Sequence, residues 1–225
     1  MTDDPSARIE SEKAAAAYAA AELVQSGMAV GLGTGSTVGY LLAALARRSL
    51  RKVSFAASSP ATERAARNLG LRVLSLQELS GGLDITIDGA DQVAADGWLV
   101  KGGGGAHTRE KVLAAAASRF VVIVSENKLR RELQPPVPLE ITSFAAPYAL
   151  SALAPSTLRE APPSPDGNLI ADYRGPIGDP RELAARLSAT PGLLDHGLFA
   201  PELVSEILIG AAGGIERREG ARRGD

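Results

Sequence analysis

Asp88, Asp91, Lys101 and Glu110 fall within one polar stretch, Asp84 to Glu110, that also contains the glycine run Gly102 to Gly105. Two aspartates three apart in Ile87-Asp-Gly-Ala-Asp91 can grip neighbouring hydroxyls of one sugar or hold a divalent metal. Lys101 ends an apolar strand and abuts Gly102, Gly103 and Gly104, whose bare backbone admits a ligand closely. Its charge suits a developing oxyanion. Glu110 falls in the first turns of the helix after the glycines, where the positive helix end favours its ionised, basic form. Taken singly, each has a simpler explanation: Asp-Gly is ordinary turn chemistry, and a glutamate in a first helical turn caps the helix or balances its dipole. A capping glutamate, however, needs neither a glycine approach nor a lysine and two aspartates ahead of it. Together the four residues read as a proton-transferring carboxylate, an oxyanion stabiliser and hydroxyl-orienting groups.

A second polar turn is Gly33-Thr-Gly-Ser-Thr37. Thr34, Gly35, Ser36 and Thr37 can aim backbone N–H groups and hydroxyls at an anion, helped by the helix that follows. The same residues also read as a plain strand-to-helix turn with Ser36 or Thr37 as N-cap. Dinucleotide binding is disfavoured, because Ser36 stands where the third glycine of G-x-G-x-x-G belongs and no acidic residue ends the next strand near Ala57. No G-K-[ST] follows, so a nucleotide P-loop is excluded and a small phosphorylated ligand remains. The chain has five lysines, Lys13, Lys52, Lys101, Lys111 and Lys128. Lys128, after an apolar strand, can reach a phosphate as a point charge, or be a solvated loop lysine. His107 and His196 are too far apart in sequence to form a ligand pair, His107 reading as a loop-lining residue and His196 as structural.

The elements that must position these residues follow a regular pattern. Apolar spacing predicts a helix from Ile9 to Val24, with residues 1–8 frayed. Met28 to Leu32 reads as a strand, Val38 to Ala46 as a helix, and Lys52 to Ala57 as a second strand. A helix opening at Pro60 runs to Gly70, followed by strands at Leu71 to Leu76, Leu83 to Ile87, Trp98 to Val100 and Phe120 to Val124. A helix from His107 to Ala117 comes before the last of these. Alternating short apolar strands and helices predict a doubly wound, mostly parallel α/β sheet of the Rossmann-like kind, in which ligands sit beyond the carboxyl ends of the strands. After Lys128 prolines crowd the chain and elements shorten: Leu139 to Thr142, a helix at Tyr148 to Leu153, Asn168 to Tyr173, a helix at Pro180 to Ala189 and a strand from Leu193 to Phe199. Glu206 to Gly210 returns to the main sheet, and Glu216 to Asp225 reads as a loose charged tail. The expected division is a large α/β domain of residues 1–128 plus 203–225 and a small α+β subdomain of residues 129–202.

The totals set bounds. At 225 residues with 45% hydrophobic composition the chain can bury a substantial core. A net charge of −2 gives no general field for nucleic acid or an anionic membrane, so any anion site is local. Cysteine is absent, which excludes disulfides, thiolate catalysis and zinc–sulfur sites. With an acidic start and no apolar run of membrane length, the chain reads as cytoplasmic.

In order along the chain, Gly31-Leu-Gly-Thr-Gly-Ser-Thr37, Ile87-Asp-Gly-Ala-Asp91, Lys101-Gly-Gly-Gly-Gly105, Thr108-Arg-Glu-Lys111 and Gly197-Leu-Phe199 resemble the ribose-5-phosphate isomerase A family. The resemblance implies isomerisation of D-ribose 5-phosphate and D-ribulose 5-phosphate through an enediolate, with Glu110 as base. It implies sugar-phosphate contacts from Thr34, Gly35, Ser36, Thr37, Asp88, Gly89, Ala90, Asp91, Lys101, Gly102, Gly103, Gly104 and Lys128. It further implies a homodimer or homotetramer, no cofactor and no required metal. Three positions depart from the family pattern: Ser125-Glu-Asn-Lys128 replaces an Asp-x-Ser-Lys stretch, His107 a leucine, and Asp91-Gln92 an Asp-Glu. Two other readings compete: a non-catalytic phosphosugar-sensing module, and a coenzyme A transferase-like enzyme with Glu110 as covalent nucleophile.

Overall fold

The computed structural model describes residues 4–79 and 81–221. In chain order come α1 (Pro5–Ala21), β1 (Ala29–Leu32), α2 (Ser36–Ala46), β2 (Ser54–Ala57), α3 (Pro60–Asn68), β3 (Leu83–Asp88), β4 (Gln92–Ala94), β5 (Leu99–Val100), α4 (His107–Ala116) and β6 (Ala117–Ser125). There follow β7 (Leu129–Arg130), β8 (Val137–Ile141), α5 (Ala146–Ala152), β9 (Ser156–Leu158), β10 (Leu169–Tyr173), α6 (Pro180–Ser188), β11 (Leu193–His196), β12 (Leu198–Phe199), β13 (Glu206–Ala211) and β14 (Gly214–Glu219).

The large sheet has the order β14-β13-β6-β3-β1-β2, parallel throughout except for β14. Its central strands are covered on both faces, so they are continuous apolar runs: Val30, Leu32, Ile85, Ile87 and Val121 to Ile123 are fully or almost fully buried. β1 lies between β2 and β3, so the chain winds outward one way and then restarts on the other side of β1. The reversal opens a crevice between the carboxyl ends of β1 and β3, where the turn after Leu32 and the residue Asp88 lie. A smaller antiparallel sheet, β11-β8-β10-β9, carries α5 and α6 and packs Leu139, Ile141, Leu153, Leu183 and Leu187 into its own core with Trp98 and Val100. A third sheet, β12-β5-β4-β7, takes β4 and β5 from the expected large domain and β7 and β12 from the expected small subdomain. Among the described residues no helix is long and apolar enough to cross a membrane.

Several expectations change. The frayed N-terminus gives way to helix from Pro5, because Asp4 accepts a hydrogen bond from Ser6 N and Pro5 suits the first turn; residues 1–3 lie outside the described residues. The strand expected at Leu71 to Leu76 reduces to a single bridge between Val73 and Phe55, after which Ser75 and Glu78 form a capping box that starts a short 3₁₀ turn. β2 begins only at Ser54, as Lys52 adopts a left-handed φ of 57°. The strand expected from Leu193 to Phe199 breaks at Gly197, where a Cβ would sit 2.2 Å from the carbonyl oxygen of Lys101. The expected loose tail contains β14, paired antiparallel with β13 from Gly214 to Glu219; residues 222–225 lie outside the described residues.

Close helix-to-sheet approach yields a test. Gly210 of β13 backs onto α1, where a Cβ would lie 1.9 Å from the Glu12 carbonyl oxygen, whereas a Cβ on Gly213 would meet nothing within 4 Å. Gly210→Ala is therefore expected to destabilise by about 2 kcal/mol or more and Gly213→Ala by no more than about 0.5 kcal/mol, read from urea unfolding midpoints.

Candidate functional site

The site is built outward from the end of β3. Gly33 N donates to Ile87 O at 3.0 Å, tying the turn after β1 to β3. A Cβ on Gly33 would stand 1.7 Å from Asp88 Oδ1, so only glycine leaves room for this carboxylate. Asp88 Oδ1 accepts from Thr34 N at 3.1 Å and Gly89 N at 2.7 Å, and Oδ2 from Lys101 Nζ at 2.7 Å. Lys101 Nζ also donates to Gly89 O at 2.6 Å and lies 3.1 Å from Glu110 Oε2. The side chains of Asp88, Lys101 and Glu110 are 0%, 2% and 4% exposed. One buried ammonium thus serves two buried carboxylates, with the Phe199 ring centroid 5.3 Å from it.

The two carboxylates are unequally served. Burial raises Asp88, and the opposing pull of Lys101 and the two N–H groups only partly offsets it. Burial also works against the charge on Lys101, but Asp88 and Glu110 outweigh it and hold the ammonium above its ordinary range. Glu110 Oε2 has no hydrogen bond of acceptable geometry among the described residues. Burial first, and then the Asp88 charge, raise Glu110 to about 7 against the partial relief from Lys101. A carboxylate poised near neutrality, with an unsatisfied oxygen, has the chemistry that a proton acceptor needs.

Above this trio opens a cavity of about 140 Å³. Thr34, Gly35, Ser36, Thr37, Gly89, Ala90, Asp91, Lys101, Gly102, Gly103, Gly104, Glu110 and Lys128 all line it. Asp88 is not part of that lining: its carboxylate is bonded to Lys101 Nζ and to the Thr34 and Gly89 N–H groups. Asp91 remains at the surface of the cleft with Oδ2 accepting from Gly103 N at 2.8 Å. Neither Ser36 nor Thr37 caps α2; the N-cap is Gly35, at φ 119°, with no side-chain cap bond, so the first-turn N–H groups and hydroxyls face a possible anion. Lys13, on α1 and 2.7 Å from Glu10 Oε1, also lines the cleft and was not assigned to it from sequence. The available signal was residue type, since three of the five lysines, Lys13, Lys101 and Lys128, gather here. Ser125, at the departure from the family pattern, is buried and donates to Asn127 Oδ1 at 2.6 Å, inside the turn that carries Lys128.

His107, the first residue of α4, is fully buried against the glycine loop, where a Cβ on Gly102 would lie 2.7 Å from its Nδ1. Burial, then the nearby Lys111 charge, lower His107 to about 3, and the same two causes lower His196 to about 3, so both stay neutral at physiological pH. His196 Nδ1 accepts from Leu198 N at 3.2 Å, a structural bond. Among the described residues no group of three or more His, Asp or Glu side chains is gathered where it could hold a metal ion.

The family model for ribose 5-phosphate isomerase A (phosphoriboisomerase A) matches residues 54–214. A ribose-5-phosphate isomerase A of Acidithiobacillus ferrooxidans is 39% identical over 213 residues, covering 92% of this chain and 97% of its own. The crystal structure of ribose 5 phosphate isomerase A from Neisseria gonorrhoeae superposes with a TM-score of 0.90 at 30% identity, covering 95% of this chain and 98% of its own. A D-ribose-5-phosphate isomerase in complex with phospho-erythronic acid superposes with a TM-score of 0.89 at 30% identity, covering 94% and 99%.

The raised Glu110 makes stability depend on pH. Its folded value of about 7 exceeds the ordinary 4.5, so the folded state binds this proton more tightly; the group costs nothing below 4.5 and destabilises progressively up to about 7. Glu110→Gln removes that cost. The variant is expected to match the parent's unfolding free energy near pH 4.5 and to exceed it by up to about 3 kcal/mol above pH 7. A constant difference across that range in denaturant titrations would contradict the electrostatic account.

Proposed function

From the premise that the chain belongs to the ribose 5-phosphate isomerase A family, we propose that Glu110 is the base that carries the proton between C2 and C1. The protein is an aldose–ketose isomerase interconverting D-ribose 5-phosphate and D-ribulose 5-phosphate, a reaction of the non-oxidative pentose phosphate pathway. The observation that carries the assignment is the Glu110 oxygen itself: buried at the cleft floor, without a hydrogen bond, and half-ionised near neutral pH.

One carboxylate over both carbons takes the proton from C2, leaving an enediolate, and returns it at C1. Lys101 lies 3.1 Å from that carboxylate, so an oxygen bonded to either carbon falls within reach of the ammonium. Asp91 and the backbone of Gly102 to Gly104 orient the sugar hydroxyls. Thr34 to Thr37 at the start of α2, with Lys13 and Lys128, hold the phosphate at the non-reacting end. The two lobes divide the work, with residues 1–128 and 203–225 supplying the reacting groups and residues 129–202 bracing them. We assign the active form to a cytoplasmic homodimer or tetramer, consistent with the cysteine-free composition for the compartment. Family membership favours neither the sensing nor the coenzyme A transferase reading.

Two kinetic outcomes are expected. kcat/KM should rise with pH through an acid limb near pH 7, because only ionised Glu110 accepts a proton. Glu110→Gln should lose that limb and about a hundredfold or more in kcat with little change in KM. Substantial turnover in this variant would remove Glu110 from the role. Separately, Lys13→Met and Lys128→Met should each weaken competitive inhibition by inorganic phosphate about fivefold or more while leaving the acid limb in place.

A further inference from the structure

The glycine floor of the cleft is held from the small sheet. Arg159 follows β9, its N–H donating to Ile170 O of β10 at 2.9 Å, and its guanidinium faces Asp172 across this strand pair. The guanidinium grips that carboxylate bidentately, Nε at 3.0 Å from Oδ2 and Nη2 at 2.6 Å from Oδ1. Its remaining nitrogen, Nη1, donates to Gly102 O at 2.9 Å and Gly103 O at 3.2 Å. The two side chains are 18% and 10% exposed, so solvent screens the contact little.

The peptide between Gly102 and Gly103 is therefore clamped at both ends. Its oxygen accepts from Arg159, and its N–H donates to Asp91 Oδ2 at 2.8 Å. The next peptide has its oxygen on the same guanidinium, while among the described residues nothing accepts from its N–H, that of Gly104, at the cleft wall. A carbonyl bonded to a cation makes its own amide a stronger donor. A run of four glycines has more conformational freedom than any other tetrapeptide, so beyond its one internal bond, from Gly105 N to Gly102 O at 3.0 Å, its shape depends on bonds from outside. Arg159 itself does not line the cavity.

We propose that Arg159, oriented by Asp172, is a positioning residue of the isomerase: it fixes and polarises the 102–104 peptides so that Asp91 and the Gly104 N–H meet the oxygens of the reacting carbons. This rests on the isomerase reading of the cleft. A clip that merely holds the small sheet in place would affect folding and all ligands alike; a positioning role affects the reacting end alone.

The experiment compares parent, Arg159→Gln, Arg159→Lys, Asp172→Asn and Glu110→Gln by circular dichroism, steady-state kinetics and inhibition by two probes. Phospho-erythronic acid has a planar two-oxygen carboxylate resembling the enediolate end as well as a phosphate, whereas inorganic phosphate tests the far end only. Folded Arg159→Gln should lose about tenfold to a hundredfold in kcat, lose a similar factor for phospho-erythronic acid, and change less than about twofold for inorganic phosphate. Arg159→Lys should recover little, because one ammonium cannot hold Asp172 bidentately and reach both carbonyls. Asp172→Asn, which keeps the guanidinium but loosens it, should lose about threefold to tenfold and serves if the arginine variants misfold. A kcat within twofold of the parent in folded Arg159→Gln or Asp172→Asn, beside an inactive Glu110→Gln, overturns this proposal alone, as does equal weakening of both probes. A parent that fails to isomerise, or a fully active Glu110→Gln, overturns the isomerase reading and this inference with it.

Discussion

Everything at the cleft depends on one buried ammonium shared by two carboxylates. Removing ions from water costs several kcal/mol each, and the cost is recovered only where close partners replace the solvent. Asp88 is the better compensated, with Lys101 and two backbone N–H groups on its oxygens, although burial still leaves it raised. Glu110 receives what remains, a 3.1 Å contact with an ammonium already bonded to Asp88 and to Gly89 O. That inequality makes Asp88 the closely bonded partner of Lys101 and leaves Glu110 the more weakly served acid. It also dictates sequence some distance away: Gly33 must lack a side chain to admit Asp88, and Gly197 must lack one beside the Lys101 carbonyl.

The small sheet contributes more than bulk. Glu140 of β8 is buried and accepts from Thr108 Oγ1, Ser164 Oγ and Asn168 Nδ2, tying the first turn of α4 to the β10 region. Lys111, one residue beyond the base, pairs with Asp195 of β11 and donates to His196 O at 2.6 Å. Glu110 is thus carried on a helix pinned two residues before it and one after it by the other lobe, while among the described residues its Oε2 has no hydrogen bond. Rigidity of the carrier and freedom of the reacting group are obtained together, which suits a base that must reach two adjacent carbons.

The main sheet was legible because strands covered on both faces must be continuously apolar, and the crevice followed from their order. The cleft residues were legible as a set, since a lysine, a glycine run and three carboxylates at short spacing have no common structural purpose. What stayed hidden depends on direction and burial. The inward turn of Asp88 follows from a missing Cβ on Gly33, a residue 55 positions earlier, and no local pattern encodes it. The capping box at Ser75 and Glu78 overrode the apolar run from Leu71. β14 has a charged, half-exposed pattern because it is an edge strand with one neighbour, and such a strand resembles a tail in composition. Lys13 is brought to the cleft by the packing of α1, and Arg159 by strand pairing in the other lobe.

The division of labour between the two basic side chains explains why a nearly neutral, arginine-rich chain keeps so few lysines. Three of its arginines act as clamps on carboxylates: Arg159 on Asp172, Arg109 on Asp166 and Arg67 on Glu63 each use the planar fork. The position of Lys101 cannot be filled that way. Three oxygens from Asp88, Gly89 and Glu110 surround its nitrogen at 2.7, 2.6 and 3.1 Å, the first two hydrogen-bonded and the third in ionic contact, a convergent arrangement that suits a compact ammonium and not a flat guanidinium. A point charge at their focus stabilises whichever oxygen is negative, and it requires no reorientation when charge moves from Glu110 to a ligand oxygen beside it. The lysine is therefore fixed by the same geometry that leaves Glu110 underserved and basic.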